Sequence, residues 1–294
     1  MNKKKKLTDF AGKWKGSKKE TDKIFSEITK EREKSKFRGT QKRKTEHIKI
    51  SLKKNVQFRN KTNGFEDIEL VYDALPNVNK KELSLKTEFF GKKFSAPIMI
   101  AAMTGGTPKA KKINKDIAKA CEEIGIGMGL GSQRAMLEDA SLTSTYQVRD
   151  IAPNIFLAGN LGAMQLNEFP AKKIDSALNE IGADALALHI NAGQEAMQFE
   201  GDTNFRNALN SIKKLKKELK HEFFVKEVGC GINEKTAKEL QKLKIKAIDV
   251  GGAGGTSWIG LDSLRGKGDL GKIYWDFGIP TSASIILTRK HFKG

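Results

Sequence analysis

The chain has 294 residues, 38% of them hydrophobic and 30% charged, with a formal net charge of +19. That length is enough for one large α/β domain with a sizeable core, and the longest apolar stretch, APIMIAAM at 96–103, is far too short to span a bilayer. The two cysteines, Cys121 and Cys230, fit neither a metal-ligand spacing nor a disulfide framework and read as small buried apolar residues.

The charge is uneven. Residues 1–54 hold about 20 Lys/Arg against about 7 Asp/Glu, roughly two thirds of the whole excess. The opening MNKKKK resembles the charged end of a signal peptide, but no apolar segment follows, so a cytoplasmic location is expected. A basic arm can bind nucleic acid or anionic lipid. No aromatic-studded RNA-binding motif or zinc spacing accompanies it, so neither nucleic acid nor membrane is an expected partner. Ile24, Phe25 and Ile28 are spaced for one short amphipathic helix, and Arg38-Gly39-Thr40 looks like a boundary. Residues 1–38 are therefore read as a basic, flexible or helical extension, and 39–294 as the folded domain, with an N-terminal arm over 39–90.

From residue 90 onward, short apolar runs ending in glycine or small polar residues alternate with Lys/Glu-rich helical stretches. The runs are 96–103, 124–132, 155–162, 185–191, 223–229 and 247–255, and the helical patterns cover 111–124, 171–181, 205–219 and 233–243. Repeated β–α is the sequence form of a parallel sheet wrapped by helices. Polar residues suited to a site follow every run: MTGG, SQR, NLGA, HIN with QE, KEVG and GGAGGT. An open doubly wound sheet gathers its site at one switch point, whereas a barrel gathers it from all strand ends. The expected class is thus α/β, a TIM (β/α)8-type barrel, of which about six βα units are visible.

The densest signal is HINAGQEAMQFEGDTNF at 189–205. His189, Asn191, Gln194, Glu195, Gln198, Glu200 and Asp202 crowd where a buried strand gives way to a loop, a costly arrangement unless it binds something.

Seven separated motifs, in order, resemble those of type 2 isopentenyl-diphosphate isomerase, the flavin-dependent enzyme: RKTEHI (43–48), AMTGG (102–106), GLGSQR (129–134), GNLGA (159–163), the 189–205 segment, VKEVGCG (225–231) and GGAGGTSW (251–258). The resemblance runs from about Lys42 to the last residue. It implies interconversion of isopentenyl and dimethylallyl diphosphate by a 1,3-proton shift, with reduced FMN as acid and base and NADPH serving only to reduce the flavin.

By this resemblance Arg43, Lys44, His47 and Arg134 grip the diphosphate, and Glu195 holds Mg²⁺ with waters and diphosphate oxygens. Gln194 orients the alkene without transferring its proton, and His189 joins it at the catalytic centre. Met103, Thr104, Gly105, Ser132, Asn160, Lys226 and Thr256 match flavin-contacting positions. Gly105 and Gly106 are expected to let the backbone approach the ring. Lys226, inside the apolar run FFVKEVG, is costly unless it faces an electron-rich acceptor such as the N1–C2=O edge of the flavin.

Asp262 stands where the family is expected to carry Glu. Two further βα units, expected to bind the FMN phosphate, are not among the six. A barrel of six units leaves two open edges, and this polypeptide alone is expected to bind FMN weakly and to be nearly inactive unless a second polypeptide completes it. The family commonly forms homo-tetramers or octamers. A 2-hydroxy-acid oxidase needs a His/Arg constellation where this chain has GGAGGTSW, and an IMP dehydrogenase needs a cysteine after its sixth strand, whereas Cys230 follows the fifth. A degenerate flavin barrel acting as a binding module through the basic arm is the non-enzymatic alternative.

Overall fold

The computed structural model describes residues 40–266 and 270–293. The expected extension 1–38, including the helix over Ile24–Ile28, lies outside them.

The chain starts with helix α1 (Thr40–Lys53), an irregular stretch, and a hairpin of β1 (Thr87–Phe89) and β2 (Lys92–Phe94). Six parallel strands follow: β3 (Met99–Ile100), β4 (Gly127–Gly129), β5 (Leu157–Gly162), β6 (Ala185–His189), β7 (Glu222–Lys226) and β8 (Ile248–Asp249). They lie side by side in chain order, so every crossover moves one strand along. The helices between and after them are α2 (Pro108–Ile124), α3 (Arg134–Glu138), α4 (Ala171–Ile181), α5 (Ala192–Met197), α6 (Ala208–Glu218), α7 (Glu234–Lys242), α8 (Trp258–Arg265), α9 (Leu270–Ile273) and α10 (Thr281–Arg289). This is an open, six-stranded parallel half-barrel, six of the eight units of a (β/α)8 fold. Among the described residues β3 and β8 are each paired on one side only, and no helix is long and apolar enough to cross a membrane.

Local chemistry ends the helices where the pattern stops. Thr107 caps α2 by accepting from the Ala110 N–H at 3.1 Å, Pro108 sits in its first turn, and Gly125, at φ +77°, closes it. Asn233 caps α7 and Ser257 caps α8 in the same way.

The strands sort their side chains by period two. In β6, Leu186 and Leu188 face the helices and pack with Leu157, Ile174, Leu178 and Val225, while Ala185 and Ala187 face the barrel interior. The interior floor is aromatic. Phe94, Phe156 and Phe224 fill the space that the alanines leave, and Phe89 and Phe90 of the hairpin tip pack on them at ring separations of 5.1 to 6.5 Å. This plug closes the amino-terminal end of the half-barrel, which leaves the carboxyl ends of the strands as its open mouth.

The same alternation carries polar residues inward at the top. Gly162, His189, Lys226 and Asp249 are direct partners across β5, β6, β7 and β8. Between α1 and the hairpin the arm exposes its apolar side chains: Leu70, Val71, Tyr72 and Leu75 are 86 to 99% exposed.

Candidate active site

A cavity of about 290 Å³ opens at the carboxyl ends of the strands. Arg43, Lys44 and His47 of α1 form one wall, Met103, Ser132, Arg134, Asn160, His189 and Lys226 the strand-end floor, and Gln194 and Glu195 of α5 the far side. Eleven of the fourteen residues expected at the site thus meet in one place. Thr104, Gly105 and Thr256 do not line it.

Lys226 and His189 occupy adjacent strands at one level. Lys226 is 8% exposed, and its ammonium donates one long hydrogen bond, to the Glu227 carbonyl at 3.2 Å. Burial holds its pKa below the ordinary lysine value, partly opposed by Asp249 and Glu227. His189 Nδ1 lies 2.8 Å from Asn160 Oδ1, so Nδ1 carries the proton and Nε2 presents its lone pair. Burial and the cations Lys226, Arg43 and Lys44 push its pKa down to about 3, so at neutral pH this ring is a hydrogen-bonding group without charge.

Gln194 is pinned at both ends of its amide. Nε2 donates to Asp262 Oδ2 at 2.9 Å, and Oε1 accepts from Asn191 Nδ2 at 3.0 Å. Glu195 accepts from Asn191 and Gln198 on one oxygen and from the Asp202 N–H on the other. Burial nonetheless holds its pKa above the usual carboxylate value.

Arg43 is half-buried, lines the cavity and lies within electrostatic reach of Glu195 and Glu200, with no hydrogen bond or ion pair to its guanidinium among the described residues. Arg134 differs, since it is already paired with Glu138 at 2.7 Å and Glu168 at 3.5 Å. Lys44 is buried and donates to the Ser132 carbonyl and to Tyr146 Oη, both at 2.9 Å. Burial, then Arg43, lowers its pKa to about 7.

Two glycines have a further reason within the chain. A side chain on Gly105 would run into the Tyr146 ring, and Gly106, at φ +75°, would bring one against Ala135 at 2.9 Å and the Tyr146 hydroxyl at 3.1 Å. Thr256 pairs with Gln57 of the arm in an isolated antiparallel bridge. Thr104 is buried with its Oγ1 unpaired.

Asp262 is more central than its sequence position suggested. It is fully buried and binds His47 Nε2 at 2.8 Å, Arg265 Nη1 at 2.9 Å and Gln194. Burial alone would raise its pKa, but His47 and Arg265 together hold it below the usual value. Arg265 also binds Glu46 and Glu200. The available signal was spacing: Trp258, Asp262 and Arg265 fall at i, i+4 and i+7, on one helix face.

The profile of the FMN-dependent dehydrogenase family matches residues 38–192. Over 259 residues the chain is 46% identical to an isopentenyl-diphosphate delta-isomerase of Thermococcus kodakarensis, covering 84% of this chain and 69% of the relative. Comparable proteins of Methanococcoides burtonii (44%, 85% and 71%) and Pyrococcus furiosus (43%, 84% and 66%) carry the same name. The chain belongs to the type 2, FMN-dependent isopentenyl-diphosphate isomerase family. It spans about two thirds of the length of these family members. Among solved structures it is similar to (S)-mandelate dehydrogenase, at TM-score 0.47 and 14% identity over 89% of this chain and 97% of that one, a likeness too slight to bear on function.

The residues fit the family's cofactor. A buried ammonium with one long neutral hydrogen bond, beside a neutral histidine and the amide of Asn160, suits an electron-rich heterocycle. A Mg²⁺ ion fits on narrower terms. No cluster of three metal-ligating side chains exists among the described residues, so the expected ligand is the single carboxylate of Glu195. It can hold Mg²⁺ where waters and phosphate oxygens supply the other ligands.

Proposed function

We propose that this cavity binds isopentenyl and dimethylallyl diphosphate and interconverts them. The observation that carries the reading is a half-buried arginine without a hydrogen bond among the described residues, Arg43, on one wall facing an underbonded buried lysine, Lys226, on the floor. The first suits an external anion and the second the polar edge of a cofactor.

Bound reduced FMN supplies the acid and base for the 1,3-proton shift, with NADPH as the source of its electrons. The chain's own residues bind and orient. Arg43 holds the diphosphate, with Lys44, His47 and Arg134 adding positive potential. Glu195 brings Mg²⁺ to the diphosphate oxygens. Gln194, held by Asp262 and Asn191, presents a fixed amide to the five-carbon chain and exchanges no proton, since an amide has no useful pKa. His189, neutral and fixed by Asn160, shapes the floor beside Lys226. Isothermal titration of the chain with isopentenyl diphosphate and Mg²⁺ tests this reading. Binding that falls at least tenfold in Arg43→Ala is expected. Binding that ignores both Arg43 and Mg²⁺ would remove its basis.

Lys44 gives that binding a pH signature. With its pKa near 7, its amine loses charge as pH rises through neutrality. A bound diphosphate raises that pKa, so binding takes up a proton between pH 7 and the ordinary lysine value of 10.5. Inorganic pyrophosphate is therefore expected to lose affinity for the wild type, relative to Lys44→Met, as pH rises from 7 to 10. Parallel profiles for the two proteins would show that Lys44 stays with Tyr146 and Ser132.

We further propose that two more parallel βα units complete the site. The support is that β3 and β8 are each paired on one side only among the described residues, together with apolar surface nearby: Ile98 and Met103 beside β3, and Ile286 on α10, are more than half exposed. Such edges and patches are seldom left uncovered. A second polypeptide could supply the units, and assembly into tetramers or octamers is proposed on family grounds alone.

A further inference from the structure

Arg265 lines no part of the cavity, yet it stands behind much of its wall. Its side chain is fully buried and reaches three segments. Nε donates to Glu46 Oε2 of α1 at 3.1 Å, Nη1 and Nη2 donate to the two oxygens of Glu200 at 3.1 and 2.6 Å, and Nη1 donates to Asp262 Oδ1 of its own helix at 2.9 Å. A rigid planar fork of donors suits carboxylates on separate elements at once, each in a fixed direction.

Each carboxylate leads to a residue of the cavity. Glu46 precedes His47 and lies one turn from Arg43. Asp262 accepts from both His47 and Gln194. Glu200 lies between Gln198, which donates to Glu195, and Asp202, whose N–H does the same.

Helix α1 has few buried apolar side chains to seat it, although its His47 ring meets Trp258 of α8 edge-on at 5.4 Å. Over residues 42–53 its one buried side chain is Lys44, and Leu52 is 73% exposed. The helix is joined to the body by polar links: Lys44 to Tyr146 and Ser132, His47 to Asp262, and Glu46 to Arg265. Two of these three pass through the Asp262–Arg265 pair. An element with few apolar contacts opens locally at low cost unless such links hold it.

We propose that Arg265 is a positioning residue: it clamps α1 against α8 and the loop after α5, and thereby fixes Arg43 and His47 over the cavity mouth. The value of that clamp to binding rests on the reading of the cavity as a diphosphate site.

The test uses the full chain and two variants. Arg265→Lys keeps the buried charge but cannot fork. Glu46→Ala removes the acceptor on α1 and leaves Arg265 with two carboxylates, so it remains informative if the lysine variant fails to fold. Three quantities are read: amide hydrogen exchange over residues 40–53, affinity for inorganic pyrophosphate with Mg²⁺, and affinity for FMN by flavin fluorescence. Exchange over α1 at least tenfold faster, pyrophosphate binding at least tenfold weaker and FMN binding within twofold of wild type is the expected pattern. A purely structural part would move both ligands together or neither. Wild-type exchange over α1 in Glu46→Ala overturns the clamp, as does equal loss of pyrophosphate and FMN. If the wild-type chain binds no pyrophosphate, the diphosphate reading fails by itself, and the exchange over α1 still decides whether Arg265 holds the helix.

Discussion

Lys226→Met is expected to make the cofactor-free chain more stable and its FMN binding weaker. In the folded chain the ammonium is buried with a single neutral acceptor at 3.2 Å. Replacing an under-compensated buried charge with an apolar side chain of similar length is often neutral or stabilising, by about 1–4 kcal/mol. Against that, a hydrogen bond from a charged donor contributes about 1.5–3 kcal/mol, so FMN affinity should fall by roughly 10- to 100-fold. The sign of the stability effect follows from linkage. Lys226 has a folded pKa below its unfolded one, so the penalty is fully present below the folded pKa and is relieved as pH rises toward 10.5. The gain from methionine is therefore largest at neutral and acid pH and shrinks in alkali. Thermal melts across pH, with flavin fluorescence titrations, check both halves. A destabilised variant with unchanged FMN affinity would make Lys226 a structural residue.

Asp262→Ala is expected to produce the largest loss of stability at the site. It strips Arg265 of one carboxylate and leaves His47 and Gln194 without their acceptor. Breaking a buried, hydrogen-bonded charge pair typically costs about 3–5 kcal/mol. Because the folded pKa of Asp262 lies below 3.8, its contribution is present above that pH and is lost as pH falls through the folded value. The gap between wild type and variant should thus be full at pH 7 and close in strong acid. Urea denaturation at the two ends of this range reads it directly, and a loss under about 1 kcal/mol at pH 7 would contradict the geometry on which the site is built.

Much of this was legible because chemistry and period coincide in the chain. ALALH at 185–189 announces its two faces by alternating small and large residues, and the structure places alanines inward and leucines outward. Helix α4 runs from Ala171 to Ile181, the span expected, because its apolar period stops at Gly182, at φ +64°. Strands are harder to bound. The run 247–255 yields only Ile248–Asp249 as strand, since Gly251 and Gly254 take positive φ and leave the ladder.

The site residues that were legible are those at strand ends, where a polar side chain after an apolar run stands out. Those that were not act across elements. Asp262 stood out only as the place of an expected Glu and Arg265 not at all, and only tertiary structure shows that their face is buried against His47, Glu46 and Glu200. Gly105 is similar: a glycine in MTGG advertises close approach, but nothing local says that the approaching group is Tyr146, forty residues on.

The most direct measurement is proton NMR of isopentenyl diphosphate in D₂O with FMN, NADPH and Mg²⁺. It would be recorded for the chain alone and for the chain mixed with the part of the Thermococcus kodakarensis relative that it does not match. The account predicts little conversion by the chain alone. In the mixture it predicts dimethylallyl diphosphate with deuterium incorporated, abolished by Glu195→Gln. Conversion that survives Glu195→Gln, or a mixture that binds FMN and isopentenyl diphosphate tightly yet leaves the alkene untouched, would contradict it.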